Sequence, residues 1–170
     1  LFGFPVHVGA GFWMFMVLIA VTNSSAEGLG TDGAIILAAL IAVFTLIHEL
    51  GHAVAARATG AKAEITLAFM AGYASFVPTR ALSRWERVGI SFAGPAVPIV
   101  TGTALYLALG GPAEWPIQGL TPAQFGARWA GPVIGLFNLI PILPFDGGNI
   151  LEQAIDLVTP RHSRRIMIVF

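Results

Sequence analysis

Apolar residues dominate this chain and fall into four long blocks separated by short polar stretches. The first block centres on residues 12–21, and leading residues from about Val6 would lengthen it toward bilayer thickness. The others cover residues 33–59, about 88–109, and 128–145. Apolar runs of this kind predict helices that cross a membrane.

Two stretches depart from the helical pattern. Residues 63–77 form two short alternating runs around Ala71-Gly72, which predict a β-hairpin at the membrane face. In the fourth block, Pro141 and Pro144 are followed by Asp-Gly-Gly, so a regular helix through the whole block is not expected. A helix is expected to resume over residues 152–158.

The start of the third block carries a helix signal of its own. Ser83 is the residue type that caps helix N-termini, and Glu86 follows three residues later. This spacing is the capping-box pattern, in which each side chain accepts a hydrogen bond from the other residue's backbone amide. The sequence therefore predicts that the third helix begins at Ser83, in front of its apolar part.

Composition supports a membrane protein. Of the 170 residues, 56% are hydrophobic and 11% are charged, whereas soluble domains carry about 25% charged residues. We therefore expect an all-α polytopic membrane protein with about four to six transmembrane helices and a small membrane-associated β-hairpin or sheet. No internal repeat or linker stands out, so residues 1–170 are expected to form one domain. The chain begins at Leu1 and ends inside an apolar run, which indicates part of a longer protein.

Charge and cysteine content exclude several classes of function. The net charge is zero and there is no basic block, which excludes a nucleic-acid footprint. The absence of cysteine excludes disulfides, thiolate zinc sites and cysteine nucleophiles.

The distribution of Lys and Arg predicts the orientation. The loop after the first block has neither residue, and the loop after the third has neither before Arg128. The basic residues between the second and third blocks and in the tail are Arg57, Lys62, Arg80, Arg84, Arg87, Arg161, Arg164 and Arg165. By the positive-inside rule, this segment and the tail lie in the cytoplasm of a multi-pass protein, expected in the cell membrane.

The most informative motif is His48-Glu49-Leu50-Gly51-His52 in the second block. A spacing of four places His48 and His52 one turn apart on one face of a helix, where both can bind a zinc ion. Glu49 is then the candidate general base beside the metal. A histidine pair in a membrane can also serve a proton relay or a metal transporter.

Counting along the helices points to Asp146 as a third ligand. His48 lies 15 residues into the second block from Gly33, and Asp146 lies 16 residues into the fourth from Ala130. At about 1.5 Å per residue, both are roughly 22–24 Å from the outer edge of the membrane. Two histidines and a carboxylate leave the fourth zinc position open, as in catalytic sites. An Asp-Gly pair can also be a simple turn.

The HELGH motif on an apolar helix, followed downstream by the Asn-Leu-Ile-Pro-Ile-Leu-Pro-Phe-Asp-Gly stretch of residues 138–147, resembles the site-2 protease family of intramembrane zinc metalloproteases. Leu139 stands where that family often has proline. The resemblance implies one Zn²⁺ ion bound by His48, His52 and Asp146, with Glu49 as the catalytic base. Many members carry a PDZ domain, for which no segment of this chain is long enough.

The resemblance also implies a reaction and a partner. Glu49 would take a proton from a zinc-bound water and pass it to the leaving amine of a single-span membrane protein substrate. Asn138 is the candidate donor to the oxyanion, and the alternative for its amide is a helix-to-helix hydrogen bond. The free edge of the hairpin can pair with an unwound substrate segment or can be purely structural.

Two other functions are compatible with these residues. A divalent-metal or proton transporter could use the same His/Asp site, although transporters usually contain paired repeats and none is visible. A catalytically inactive membrane adaptor would normally have lost Glu49 or a metal ligand, and all of them are present.

Overall fold

A computed structural model shows a mostly helical chain with one small sheet. The structure describes residues 1–25, 29–69, 72–114 and 119–158. The helices are α1 (Ala10–Asn23), α2 (Gly30–Ala58), α3 (Arg84–Ala108), α4 (Pro122–Arg128), α5 (Ile134–Asn138) and α6 (Asp146–Val158). The strands are β1 (Val6–Val8), β2 (Lys62–Leu67) and β3 (Gly72–Val77), and a π-helical turn (Trp129–Val133) joins α4 to α5.

Among the described residues, α2 and α3 are the two helices that are long and apolar enough to cross a membrane. They have 29 and 25 residues, and α2 begins and ends within three residues of the predicted second block. In the most apolar 18-residue stretch of each helix, only 33% is buried for α2 and 28% for α3. Most of this apolar surface therefore faces outward, as lipid-facing helices require.

The predicted start of the third helix is confirmed. The Ser83 hydroxyl accepts a hydrogen bond from the Glu86 amide, and the Glu86 carboxylate accepts one from the Ser83 amide at 2.8 Å. The same carboxylate forms an ion pair with Arg80. The first turn of α3 is thus closed by its own side chains.

The first apolar block is shorter as a helix than predicted. Residues from Val6 do not extend α1, because β1 pairs in parallel with β2, with Val6 opposite Ile65. The Ile65 amide donates to the Pro5 carbonyl at 3.0 Å, and the Gly9 amide donates to the Leu67 carbonyl at 2.9 Å. These bonds hold the segment extended, and α1 has only 14 residues, about 21 Å.

The predicted hairpin is present, and β1 completes a three-stranded sheet in the order β1-β2-β3. Strands β2 and β3 are antiparallel, with Lys62 opposite Val77 and Leu67 opposite Gly72. Buried side chains fix the sheet against α1 and α2; they are Phe4, Phe12, Met16, Ala53, Ile65 and Leu67. Strand β3 has β2 on one side only, so its other edge is free for further pairing within the described part of the chain.

The predicted break in the fourth block is confirmed, and its helical part lies earlier than predicted, over residues 122–138. The chain passes from α4 through the π-helical turn into α5, which ends at Asn138. Residues 139–145 are not helical, since Pro141 and Pro144 have no amide hydrogen to donate to a helix. Helix α6 then begins at Asp146, six residues before the predicted restart at 152. The tail arginines lie outside the described residues.

Candidate metal centre

Three side chains from two helices converge on one point. The Nε2 atoms of His48 and His52 lie 3.1 Å apart. The Asp146 carboxylate oxygens lie 3.1 Å from His48 Nε2 and 3.3 Å from His52 Nε2. All three side chains are only 12–13% exposed. The predicted ligands are therefore together, although their roles as ligands stay predictions.

The donor atoms fit a zinc ion. Two ligands of a tetrahedral zinc, each about 2.0–2.2 Å from the metal, lie about 3.3 Å from each other, close to the spacings found here. The Nδ1 atom of His52 lies 2.7 Å from the Ile90 carbonyl oxygen. When Nδ1 donates to that oxygen, Nε2 keeps its lone pair for a metal. A set of two nitrogens and one carboxylate matches catalytic zinc sites with one position open.

Glycines bring α3 against the histidines. A Cβ atom on Gly94 would overlap the His52 imidazole, and a Cβ atom on Gly51 would lie 2.5 Å from the Ala93 carbonyl oxygen. Helices α2 and α3 therefore pack backbone to backbone beside the motif, which places the Ile90 carbonyl next to His52. This role explains why Gly51 stands inside the histidine motif and why Gly94 stands in α3.

Glycines also position Asp146, which is the first residue of α6 and not part of a fourth spanning helix as predicted. A Cβ atom on Gly147 would overlap the Leu139 carbonyl, and one on Gly148 would lie 2.6 Å from the backbone of Ile142 and Leu143. The non-helical segment 139–145 thus packs closely on the first turn of α6. This packing brings Asp146 to the histidines. The prediction was based on the depth of Asp146 along a spanning helix, and that is not what places it there.

Glu49 is buried beside the histidines, with 4% of its surface exposed. Strand β3 covers it: a Cβ atom on Gly72 would lie 2.6 Å from the Glu49 Cγ atom and 2.8 Å from its Oε1 atom. The Ala74 backbone on the same strand lies next to this carboxylate. The free edge of β3 therefore faces the candidate general base.

One cavity of about 840 Å³ contains the whole group. Its polar lining consists of Thr45, His48, Glu49, His52, Tyr73, Ser91, Asn138, Asp146 and Asn149. Asn138 therefore lines the same cavity, and its role as a donor to the oxyanion stays a prediction. Its Nδ2 atom donates to the Ile134 carbonyl of its own helix at 3.0 Å, and among the described residues it forms no bond to another helix.

Sequence reasoning missed the Ile90 carbonyl and the cavity position of Asn149. A backbone carbonyl leaves no mark in the residue pattern, so Ile90 could be found only from the helix packing. Asn149 could have been found, because it follows Asp146 by three residues and would share its face in a helix. Because the helix was predicted to start at residue 152, Asp146 and Asn149 were not placed on the same helix.

Comparison with known proteins now identifies the family. Residues 36–124 match the model of Peptidase family M50. The chain belongs to peptidase family M50. This membership and the solved structure described below confirm the site-2 protease resemblance seen in the sequence, and the donor set agrees with Zn²⁺ as the metal of this M50 site.

Two curated relatives of this M50 chain are named as zinc metalloproteases. One is sll0528 of Synechocystis sp., 30% identical over 185 residues, covering 99% of this chain and 46% of that protein. The other is zinc metalloprotease MJ0392 of Methanocaldococcus jannaschii, 30% identical over 157 residues, covering 91% and 43%. The M50 chain thus spans less than half the length of these relatives.

The fold of the M50 chain is similar to a solved structure, the site-2 protease from Methanocaldococcus jannaschii. The TM-score is 0.68 at 27% sequence identity, and the match covers 98% of this chain and 74% of that one. The mostly helical fold with a three-stranded sheet is therefore a site-2 protease fold.

Proposed function

We propose that this chain is the core of an intramembrane zinc metalloprotease, which hydrolyses a peptide bond in or near the transmembrane helix of a single-span membrane protein. One observation carries the proposal: three zinc donors converge next to a buried glutamate on a long apolar helix. The family and the names of the relatives support the same activity.

His48, His52 and Asp146 would hold the metal. When bound, Zn²⁺ lowers the pKa of a coordinated water toward neutrality and polarises the carbonyl of the scissile bond. Glu49 lies on the same helix, one residue after His48, so its carboxylate can take a proton from the attacking water and give it to the leaving amine. Strand β3 packs on this carboxylate at Gly72 and restricts the positions that it can take.

Asn138 is the proposed donor to the developing oxyanion. One hydrogen of its amide is bonded to the Ile134 carbonyl, and the second is available to a group in the cavity. Such a donor stabilises charge that develops only in the transition state.

The substrate must unwind before it can react, because the peptide bonds of a helix are closed by hydrogen bonds. The free edge of β3 faces Glu49 and can add an unwound segment as a further strand. We therefore propose that β3 holds the substrate in an extended form beside the metal. The cavity gives this strand room, since its lining includes residues of β3 as well as the metal ligands.

The membrane placement is part of the proposal. His48 follows the start of α2 at Gly30 by 18 residues and precedes its end at Ala58 by 10, distances of about 27 and 15 Å. Together with the basic residues after α2, these distances support a site inside the bilayer, nearer the cytoplasmic face. A multi-pass domain with four to six spans would need further crossings besides α2 and α3.

The test is zinc content and cleavage of a purified single-span substrate, for the wild type and for Glu49→Gln. Amide and carboxylate have the same shape, so the variant should keep one zinc ion per chain and lose cleavage by at least about 100-fold. A variant that holds its metal and still cleaves would disprove the role of Glu49. Zinc or proton flux through proteoliposomes without any cleavage would favour a transporter.

A further inference from the structure

The cavity contains a polar group with no assigned role, the side-chain amide of Asn149. It lines the same space as the three metal donors and Glu49. Asn149 lies three residues after Asp146 in the first turn of α6, a spacing that puts both side chains on one face of the helix. Side chains so spaced have Cβ atoms about 5–6 Å apart.

The amide of Asn149 is available for a ligand. Among the described residues it has no side-chain hydrogen bond, whereas Thr45 donates to the Ile41 carbonyl and Asn138 donates to the Ile134 carbonyl. In the described part of the chain, its polar side-chain atoms are not among those that are fully buried without a hydrogen bond. They are therefore accessible from the cavity. An accessible, unpaired amide beside a catalytic centre can bind without breaking an existing contact.

The position of Asn149 is fixed by the backbone. The first turn of α6 packs on segment 139–145 through Gly147 and Gly148, which leave no room for a side chain between them. The Asn149 amide nitrogen itself donates to the Phe145 carbonyl at 3.3 Å. The residue is therefore held by the same contacts that hold Asp146, so it needs little rearrangement to meet a substrate at the metal.

We propose that Asn149 binds the substrate, with its side-chain N–H groups donating to a main-chain carbonyl oxygen at or next to the scissile bond. This inference rests on the proposed function. It adds a second amide donor, on the Asp146 side of the cavity, to the one proposed for Asn138. A peptide main chain is the expected ligand because its carbonyls are the acceptors that any extended substrate brings, whatever its side chains.

The experiment compares Asn149→Ala and Asn149→Asp with the wild type. Aspartate keeps the shape of asparagine but has no N–H group, so both variants should lower kcat/KM by about 10- to 100-fold. Both should retain one zinc ion per chain. Gln153→Ala is the matched control, an amide four residues further along α6 and outside the cavity lining, and it should cleave like the wild type.

A second readout separates binding from a structural role. A peptide phosphinate of the substrate sequence mimics the tetrahedral oxyanion, and its inhibition constant should rise by the same factor as kcat/KM falls. Wild-type kcat/KM in Asn149→Ala would overturn the inference, and so would loss of zinc in that variant, which would make Asn149 a support for Asp146. Failure of the proposed function would give a different result. Either Glu49→Gln would cleave the substrate, or the wild type would not cleave it.

Discussion

Gly94 of α3 lies directly against the imidazole ring of His52 on α2, with no space for a methyl group between them. The same ring meets the Ile90 carbonyl through Nδ1. Helix α3 therefore acts as the outer wall of the metal centre: it orients one ligand by a hydrogen bond and restricts it by close packing.

Gly94→Ala should displace His52 and abolish zinc binding and cleavage. Its Cβ atom would lie 2.6 Å from the His52 Cδ2 atom and closer still to other ring atoms, and overpacking of this kind also costs about 1–3 kcal/mol of stability. The measurements are zinc content and thermal unfolding in detergent. Gly89→Ala is the control on the same helix, because nothing lies within 4 Å of that site. Full zinc occupancy in Gly94→Ala would contradict the proposed wall.

Gly72→Ala should impair catalysis and leave the metal in place. Its Cβ atom would lie 2.6–2.9 Å from the Cγ, Cδ and Oε1 atoms of Glu49, so the carboxylate would have to move away from its place beside the histidines. We expect kcat to fall by about 100-fold with unchanged zinc content. Ser75→Ala on the same strand, where the hydroxyl donates to Glu64 Oε1, should remain active. An active Gly72→Ala would mean that Glu49 tolerates several positions.

Phe76→Pro should slow cleavage without loss of zinc. The Ile65 amide donates to Pro5 on the β1 side, so its partner Ala74 points its own amide away from β2. By alternation the Phe76 amide points to the same free edge. Proline removes that donor and leaves the pairing of β3 with β2 in place. Phe76→Ala controls for the lost side chain, so the comparison is the kcat/KM of the two variants. Zinc loss specific to the proline variant would refute a role of the edge in holding substrate.

Local signals in the sequence were sufficient for much of the fold. The capping box at Ser83 and Glu86 marked the start of α3, because both partners lie within one turn. The histidine motif was assigned to α2 for the same reason, since its spacing has meaning only on a helix. The two short alternating runs marked β2 and β3, whose pairing needs only a tight connection.

Non-local contacts account for the errors. Strand β1 has only three residues, Val6 to Val8, and its partner β2 begins more than 50 residues later. Its apolar residues are as typical of the start of a membrane helix as of a short strand. Asp146 was assigned to the right cluster on a wrong helix, because the close packing of Gly147 and Gly148 on segment 139–145 cannot be seen in a residue pattern.

The π-helical turn at Trp129–Val133 has a consequence for how the cavity can change in evolution. A π-helical turn holds one residue more than an α-helical turn and completes nearly the same rotation with it. The helix therefore continues beyond Trp129–Val133 with Phe137 and Asn138 on the cavity wall. Loss of one residue from this turn would leave those two side chains near their present direction and would change the part of the wall that Ala130 forms. Insertions or deletions at this point are therefore a route by which related chains can alter the shape of the cavity while every residue of the metal centre stays the same.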